Sequence, residues 1–101
     1  MNAPLAIVTG GSRGLGFETA RQLGRLGYRV VIASKDKKRL EAAAKALKAQ
    51  GCDVTAKLLD MASPRAIAAF GIWAAKLGPV AVLVNAAGIL PETSGAYSGK
   101  G

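Results

Sequence analysis

Histidine is absent from the 101 residues. That excludes Ser-His-Asp and Cys-His nucleophile chemistry, and any histidine-bearing metal site, within this chain. The single Cys52 cannot form an internal disulfide, which fits a reducing compartment. Acids are scarce, and Glu18, Asp36, Glu41, Asp53, Asp60 and Glu92 are scattered without metal-ligand spacing, so no metal site is expected. Long apolar runs are missing too. No uninterrupted run is longer than Val80–Val84, which is strand-length, against the roughly 18–20 residues needed to span a bilayer. Met1–Pro4 has no basic region leading into an apolar stretch, so no secretory signal and a cytoplasmic location are expected.

What is present is apolar and basic. Half the residues are hydrophobic, too many for a disordered chain and suited to one small α/β domain with a buried sheet. Fourteen Lys and Arg give a net charge of +8, which invites an anionic partner. Nucleic acid, a phosphate-bearing cofactor and plain solubility are all compatible with that charge alone. Nucleic-acid binding would want aromatics interleaved with the cations. Phe17, Tyr28, Phe70, Trp73 and Tyr97 are instead dispersed, and Phe70 and Trp73 read as helix-packing residues. Lys37, Lys38 and Arg39, with Arg21 and Arg25, read as solvated helix faces.

Strand-length and helix-length segments alternate. Leu5–Thr9 reads as a buried strand followed by a Gly-rich turn. From Leu15 to Gly27, small and apolar residues at 16, 20, 23 and 27 recur at helical spacing, with Gly27 as C-cap. Tyr28–Ala33 is a second strand, and Asp36 caps a helix over Lys37–Gln50 that stops at Gly51. Val54, Ala56 and Leu58 alternate with Thr55, Lys57 and Leu59 in a half-exposed third strand ending near Asp60. Ser63-Pro64 opens a third helix with Ile67, Phe70, Ala74 and Leu77 as its stripe. Val80–Val84 is a fourth strand and Asn85–Gly88 the loop behind it. This βαβ alternation predicts a Rossmann-type doubly wound parallel sheet in order 3-2-1-4. The fourth strand is apolar on both faces and would need a further neighbour, so the fold is expected to be unfinished. Residues 1–91 are read as a partial Rossmann domain, and 92–101 as an irregular Gly/Ser-rich tail where the sequence looks cut.

The strongest motif is Thr9-Gly10-Gly11-Ser12-Arg13-Gly14-Leu15-Gly16 between the first strand and helix. Glycines 10, 14 and 16 would let the backbone turn, approach a pyrophosphate and pack the helix on the sheet. The helix start offers unpaired N–H groups and a partial positive charge to phosphates.

With these residues in place, the chain resembles the short-chain dehydrogenases/reductases. Thr9–Gly16 is similar to their T-G-x-x-x-G-x-G signature, and Asn85-Ala86-Ala87-Gly88 to their N-N-A-G element. Asp60 matches the position whose carboxylate contacts the adenine amine. Ala86 departs from the second Asn of the element, and Ala81 from a frequent Asp. The resemblance implies cofactor contacts from Gly10, Ser12, Arg13, Gly14, Leu15, Gly16, Ser34, Lys35, Asp60, Met61, Asn85, Ala86 and Gly88. It also implies that the complete protein is a homo-oligomer acting on a small carbonyl or alcohol.

Cofactor choice is read at the end of the second strand. An NAD site places an acid there, roughly 20 residues after the last motif glycine, to bind the ribose 2′-hydroxyl. Here Ser34 takes that place and Lys35 follows, with Arg13 in the glycine loop. Two cations converging there suit the 2′-phosphate of NADP. Asp36 lies two positions late for the NAD role and serves better as a helix cap, so NADP is favoured over NAD.

The family's catalytic serine and Tyr-x-x-x-Lys pair lie well downstream of the N-A-A-G element, so the catalytic set is expected to be absent. Tyr97 and Lys100 are spaced by three rather than four, across Gly99, and read as a decoy. The tail also falls one residue short of a P-loop. The expected function is NADP(H)-dependent hydride transfer, this chain supplying cofactor binding. The alternatives are a non-catalytic NADP-binding module and a basic nucleic-acid-associated domain.

Overall fold

A computed structural model describes residues 3–10 and 14–86 of the chain. Strands and helices alternate: β1 (Leu5–Thr9), α1 (Gly14–Arg25), β2 (Arg29–Ser34), α2 (Lys37–Ala49), β3 (Val54–Leu58), α3 (Pro64–Ala75) and β4 (Val80–Asn85). The strands pair in parallel in the order β3-β2-β1-β4, as the sequence predicts. Successive side chains of a strand point to opposite faces, so the central strand must be apolar on both. All five residues of β1 are buried.

Each face has its own layer. Val8, Val30, Ile32 and Val54 pack against Ala20 of α1 and Leu40, Ala43, Ala44 and Leu47 of α2. Leu5, Ile7 and Val31, on the reverse face, pack against Ala74 of α3, with half-buried Phe70, Trp73 and Leu77 beside them. Phe70 and Trp73 lie 5.6 Å apart in a tilted pair, and the Lys57 ammonium sits 4.8 Å from the Trp73 ring centre. Both aromatics are therefore packing residues.

The helix boundaries follow local chemistry. Asp36 caps α2 by accepting from Arg39 N, and Ser63 caps α3 by accepting from Ala66 N with Pro64 at the first helical position. α1 and α2 end alike. Tyr28 N donates to Leu23 O and Gly27 N to Gly24 O; Cys52 N donates to Leu47 O and Gly51 N to Lys48 O. These are two Schellman motifs, and each needs a left-handed residue that Gly27 (φ 99°) and Gly51 (φ 87°) supply.

Several sequence expectations are corrected. Gly27 is the cap but not part of the packed face of α1, because the helix stops at Arg25. Gly24 holds the close contact instead: a Cβ there would stand 2.6 Å from Cys52 Sγ. β2 begins and ends one residue later than expected, because Tyr28 N is spent on the Schellman turn. β3 ends at Leu58 rather than near Asp60, and the alternation breaks there. Leu58 is 50% exposed and Leu59 only 5%, because the chain leaves the strand after Leu58. Ile67 of the expected α3 stripe is exposed, and Trp73 takes part in its stead.

Candidate functional site

In a parallel sheet all carboxyl ends share one edge, and here three hydrogen bonds tie that edge together. Gly10 N donates to Ala33 O at 2.7 Å, joining the ends of β1 and β2. Leu59 N donates to Ser34 O at 2.9 Å, joining β2 and β3. Thr9 Oγ1 donates to Asn85 Oδ1 at 2.9 Å, joining β1 and β4. Thr9 is buried, so this bond also satisfies a hydroxyl that would otherwise be costly to desolvate.

Gly10 (φ 75°) and Gly14 (φ 59°) bracket the turn from β1 into α1 in left-handed conformations that side chains disfavour. Among the described residues, nothing lies within 4 Å of where a Cβ on Gly14 would be. Gly16 and Ala20, one turn on, are buried, which lets the helix lie close to the sheet. The first N–H groups of α1 have no intrahelical partner and carry the positive end of its dipole.

The charges on this rim differ in their freedom. Lys35 is exposed, directly after the end of β2. Asp36 follows it, with Oδ1 accepting from Arg39 N at 3.1 Å and Oδ2 3.1 Å from Arg39 Nε. Asp60 is exposed, and its Oδ1 accepts from Ala62 N at 2.9 Å in a local turn. Leu15 and Met61 expose apolar surface. Away from the rim, Arg21 pairs through two nitrogens with Glu18. Arg29 donates to the carbonyls of Ala3 and Leu77 at 3.1 and 3.0 Å. It thereby lines a cavity of about 300 Å³ at the opposite end of the sheet, beside Pro79 and Val80.

Gly10, Gly14, Leu15, Gly16, Ser34, Lys35, Asp60, Met61, Asn85 and Ala86 thus lie at or next to the carboxyl edge, on the segments that leave the four strands. Ser12, Arg13 and Gly88, with Tyr97 and Lys100, lie outside the described residues. Thr9 was legible only as a motif letter; its bond to Asn85 links two motifs that are far apart in sequence. The ion pair between Asp36 and Arg39 was missed, although the i,i+3 spacing of acid and base on a helix start is a visible signal.

The short chain dehydrogenase family matches residues 4–98. The chain belongs to that family. This short-chain dehydrogenase chain is 42% identical over 87% of its length to polyprenol dehydrogenase of Mus musculus, covering 27% of that protein. In structure it resembles the F189W actinorhodin polyketide ketoreductase with NADPH, at TM-score 0.77 and 34% identity, covering 84% of this chain and 34% of that one. It also resembles a short chain dehydrogenase/reductase from Burkholderia phymatum in complex with NAD, at TM-score 0.75 and 26% identity, covering 81% and 30%. The short-chain dehydrogenase chain spans about a third of the length of the curated relatives it matches. Among the described residues, no helix is long and apolar enough to cross a membrane.

Proposed function

We propose that the chain is the nucleotide-binding portion of an NADP(H)-dependent oxidoreductase. Its whole protein would pass a hydride between nicotinamide and a small carbonyl or alcohol. Residues 1–91 supply the cofactor-binding Rossmann unit, and the serine and Tyr-x-x-x-Lys set of the family lies outside these 101 residues. The observation that carries the reading is the carboxyl edge of the sheet. A left-handed glycine turn opens α1 beside an exposed lysine where an NAD site would carry an acid.

The residues fit a dinucleotide. Among the described residues nothing crowds Gly14, which supports a pyrophosphate held against the first N–H groups of α1. Lys35, joined by Arg13, takes the 2′-phosphate, and Ser34 adds a polar neighbour. Asp60 would contact the adenine amine, and Met61, Asn85, Ala86 and Gly88 would make further cofactor contacts. NADP supplies the hydride chemistry when bound, and this chain's residues bind and orient it. Arg21, Arg39 and Arg29 are engaged by Glu18, Asp36 and backbone carbonyls, which takes these three arginines out of any polyanion-binding surface.

Titrating the chain with NADPH and NADH, read by nucleotide fluorescence, tests this. NADPH binds more tightly in the parent. Lys35→Asp weakens NADPH by about ten- to a hundredfold, the scale of one charge-assisted hydrogen bond, and strengthens NADH. Equal affinities before and after would show that the phosphate is held elsewhere. The chain alone reduces no carbonyl.

A further inference from the structure

Resting on that nucleotide-binding reading, we infer that Arg39 is a positioning residue for cofactor choice: it holds the Asp36 carboxylate against the start of α2 and neutralises it there. The site so keeps its preference for a 2′-phosphate despite an acid beside Lys35.

Asp36 is a hazard to such a preference. Adjacent Cα atoms are about 3.8 Å apart, so a carboxylate at 36 lies within about one Debye length of any phosphate held by Lys35. A free carboxylate there would repel the 2′-phosphate and could instead accept from the ribose hydroxyls of NADH, as the acid of an NAD site does. In the structure neither oxygen is left unengaged by α2. Oδ1 accepts the backbone N–H of Arg39, and Oδ2 faces Arg39 Nε at 3.1 Å. The backbone of Asp36 is fixed as well, its N–H donating to Ser34 Oγ at 3.3 Å. Ser34, Asp36 and Arg39 therefore form one linked unit around Lys35.

The two halves of this arrangement separate cleanly. Capping α2 requires only Asp36 Oδ1 and the backbone N–H of residue 39, which any residue but proline provides. The contact of Nε with Oδ2 depends on the arginine side chain and adds nothing the cap needs. A side chain kept only for helix stability would be replaceable here without effect on nucleotide choice.

The test measures binding of NADPH, NADH, adenosine 2′,5′-bisphosphate and adenosine 5′-monophosphate to the 101-residue chain and four variants. Arg39→Met lowers the NADPH-to-NADH affinity ratio by about two- to fivefold, the scale of one exposed ion pair, with helix content and thermal midpoint unchanged. Arg39→Lys keeps most of the ratio. Asp36→Asn retains a capping oxygen without the charge and raises the ratio. Combined with it, Arg39→Met has no further effect, because there is no charge left to hold. An unchanged ratio in Arg39→Met overturns the inference. So does an equal loss with and without Asp36→Asn, which would mean that Arg39 grips the phosphate itself. Failure of the parent to bind any of the four nucleotides overturns the proposed function and this inference with it, whereas binding without the Arg39 effect overturns the inference alone.

Discussion

At the scale of single residues, charge is decided by what stands within hydrogen-bond reach. Glu18 on α1 shows this away from the proposed site. Hydrogen bonds from the Arg21 guanidinium, and then from Gln22, hold its carboxyl down at about 2 against an ordinary 4.5. A carboxyl lowered in the folded chain adds stability that is present above its ordinary value and lost as pH falls through about 2. The pair is half-buried at the surface and still reached by solvent, so salt screens it in part. A carboxyl-carbon NMR titration should place the Glu18 midpoint near 2 at low salt and move it back toward 4.5 in Arg21→Gln. A midpoint that ignores the substitution would remove the guanidinium as the cause. Sequence could name the ingredients of the rim in the same way, because Lys35 in place of an acid and Asp36 before a helix are one-dimensional signals. It could not show that both oxygens of Asp36 are engaged, since an ion pair between exposed side chains depends on rotamers that spacing does not fix.

At the scale of elements, the strand and helix order was legible because the period of the apolar pattern changes with each segment. The ends were less so. Gly27 and Gly51 signal C-caps, but the Schellman bonds that follow take Tyr28 and Cys52 out of the neighbouring strands. The closest approach, Gly24 on Cys52, left no sequence signal beyond a glycine inside a helix, because it joins α1 to the turn before β3. It carries a test. Gly24→Ala would gain about 1 kcal/mol in helix propensity, yet the new Cβ would meet Sγ at 2.6 Å and the Cys52 Cβ at 3.0 Å. Overpacking of this kind costs about 1–3 kcal/mol, so the variant should unfold at lower denaturant. In a chain carrying Cys52→Ala the nearer clash is gone, and the cost should shrink. Strictly additive losses would mean that α1 moves away without touching the thiol.

At the scale of the whole molecule, the two sheet edges differ. β3 carries Thr55 and Lys57, and Lys57 covers Trp73. β4, Val-Ala-Val-Leu-Val-Asn, has no charge, and its Leu83 is 67% exposed on the face shared with Ile7. An apolar edge strand without a charged residue is a template for pairing with another chain. The net charge of +8 opposes such contact at long range, but salt shortens the reach of that repulsion while leaving apolar contact in force. Self-association of the chain should therefore grow with added salt, the reverse of what an ionic interface would do. Leu83→Lys places a charge on the edge without disturbing the buried strands, and should keep the chain monomeric across the same salt range in sedimentation velocity. Thr55→Lys, on the edge that already carries a lysine, should leave the parent's behaviour unchanged. If both variants associate as the parent does, β4 is not the contact, and its exposed leucine must be covered by other means.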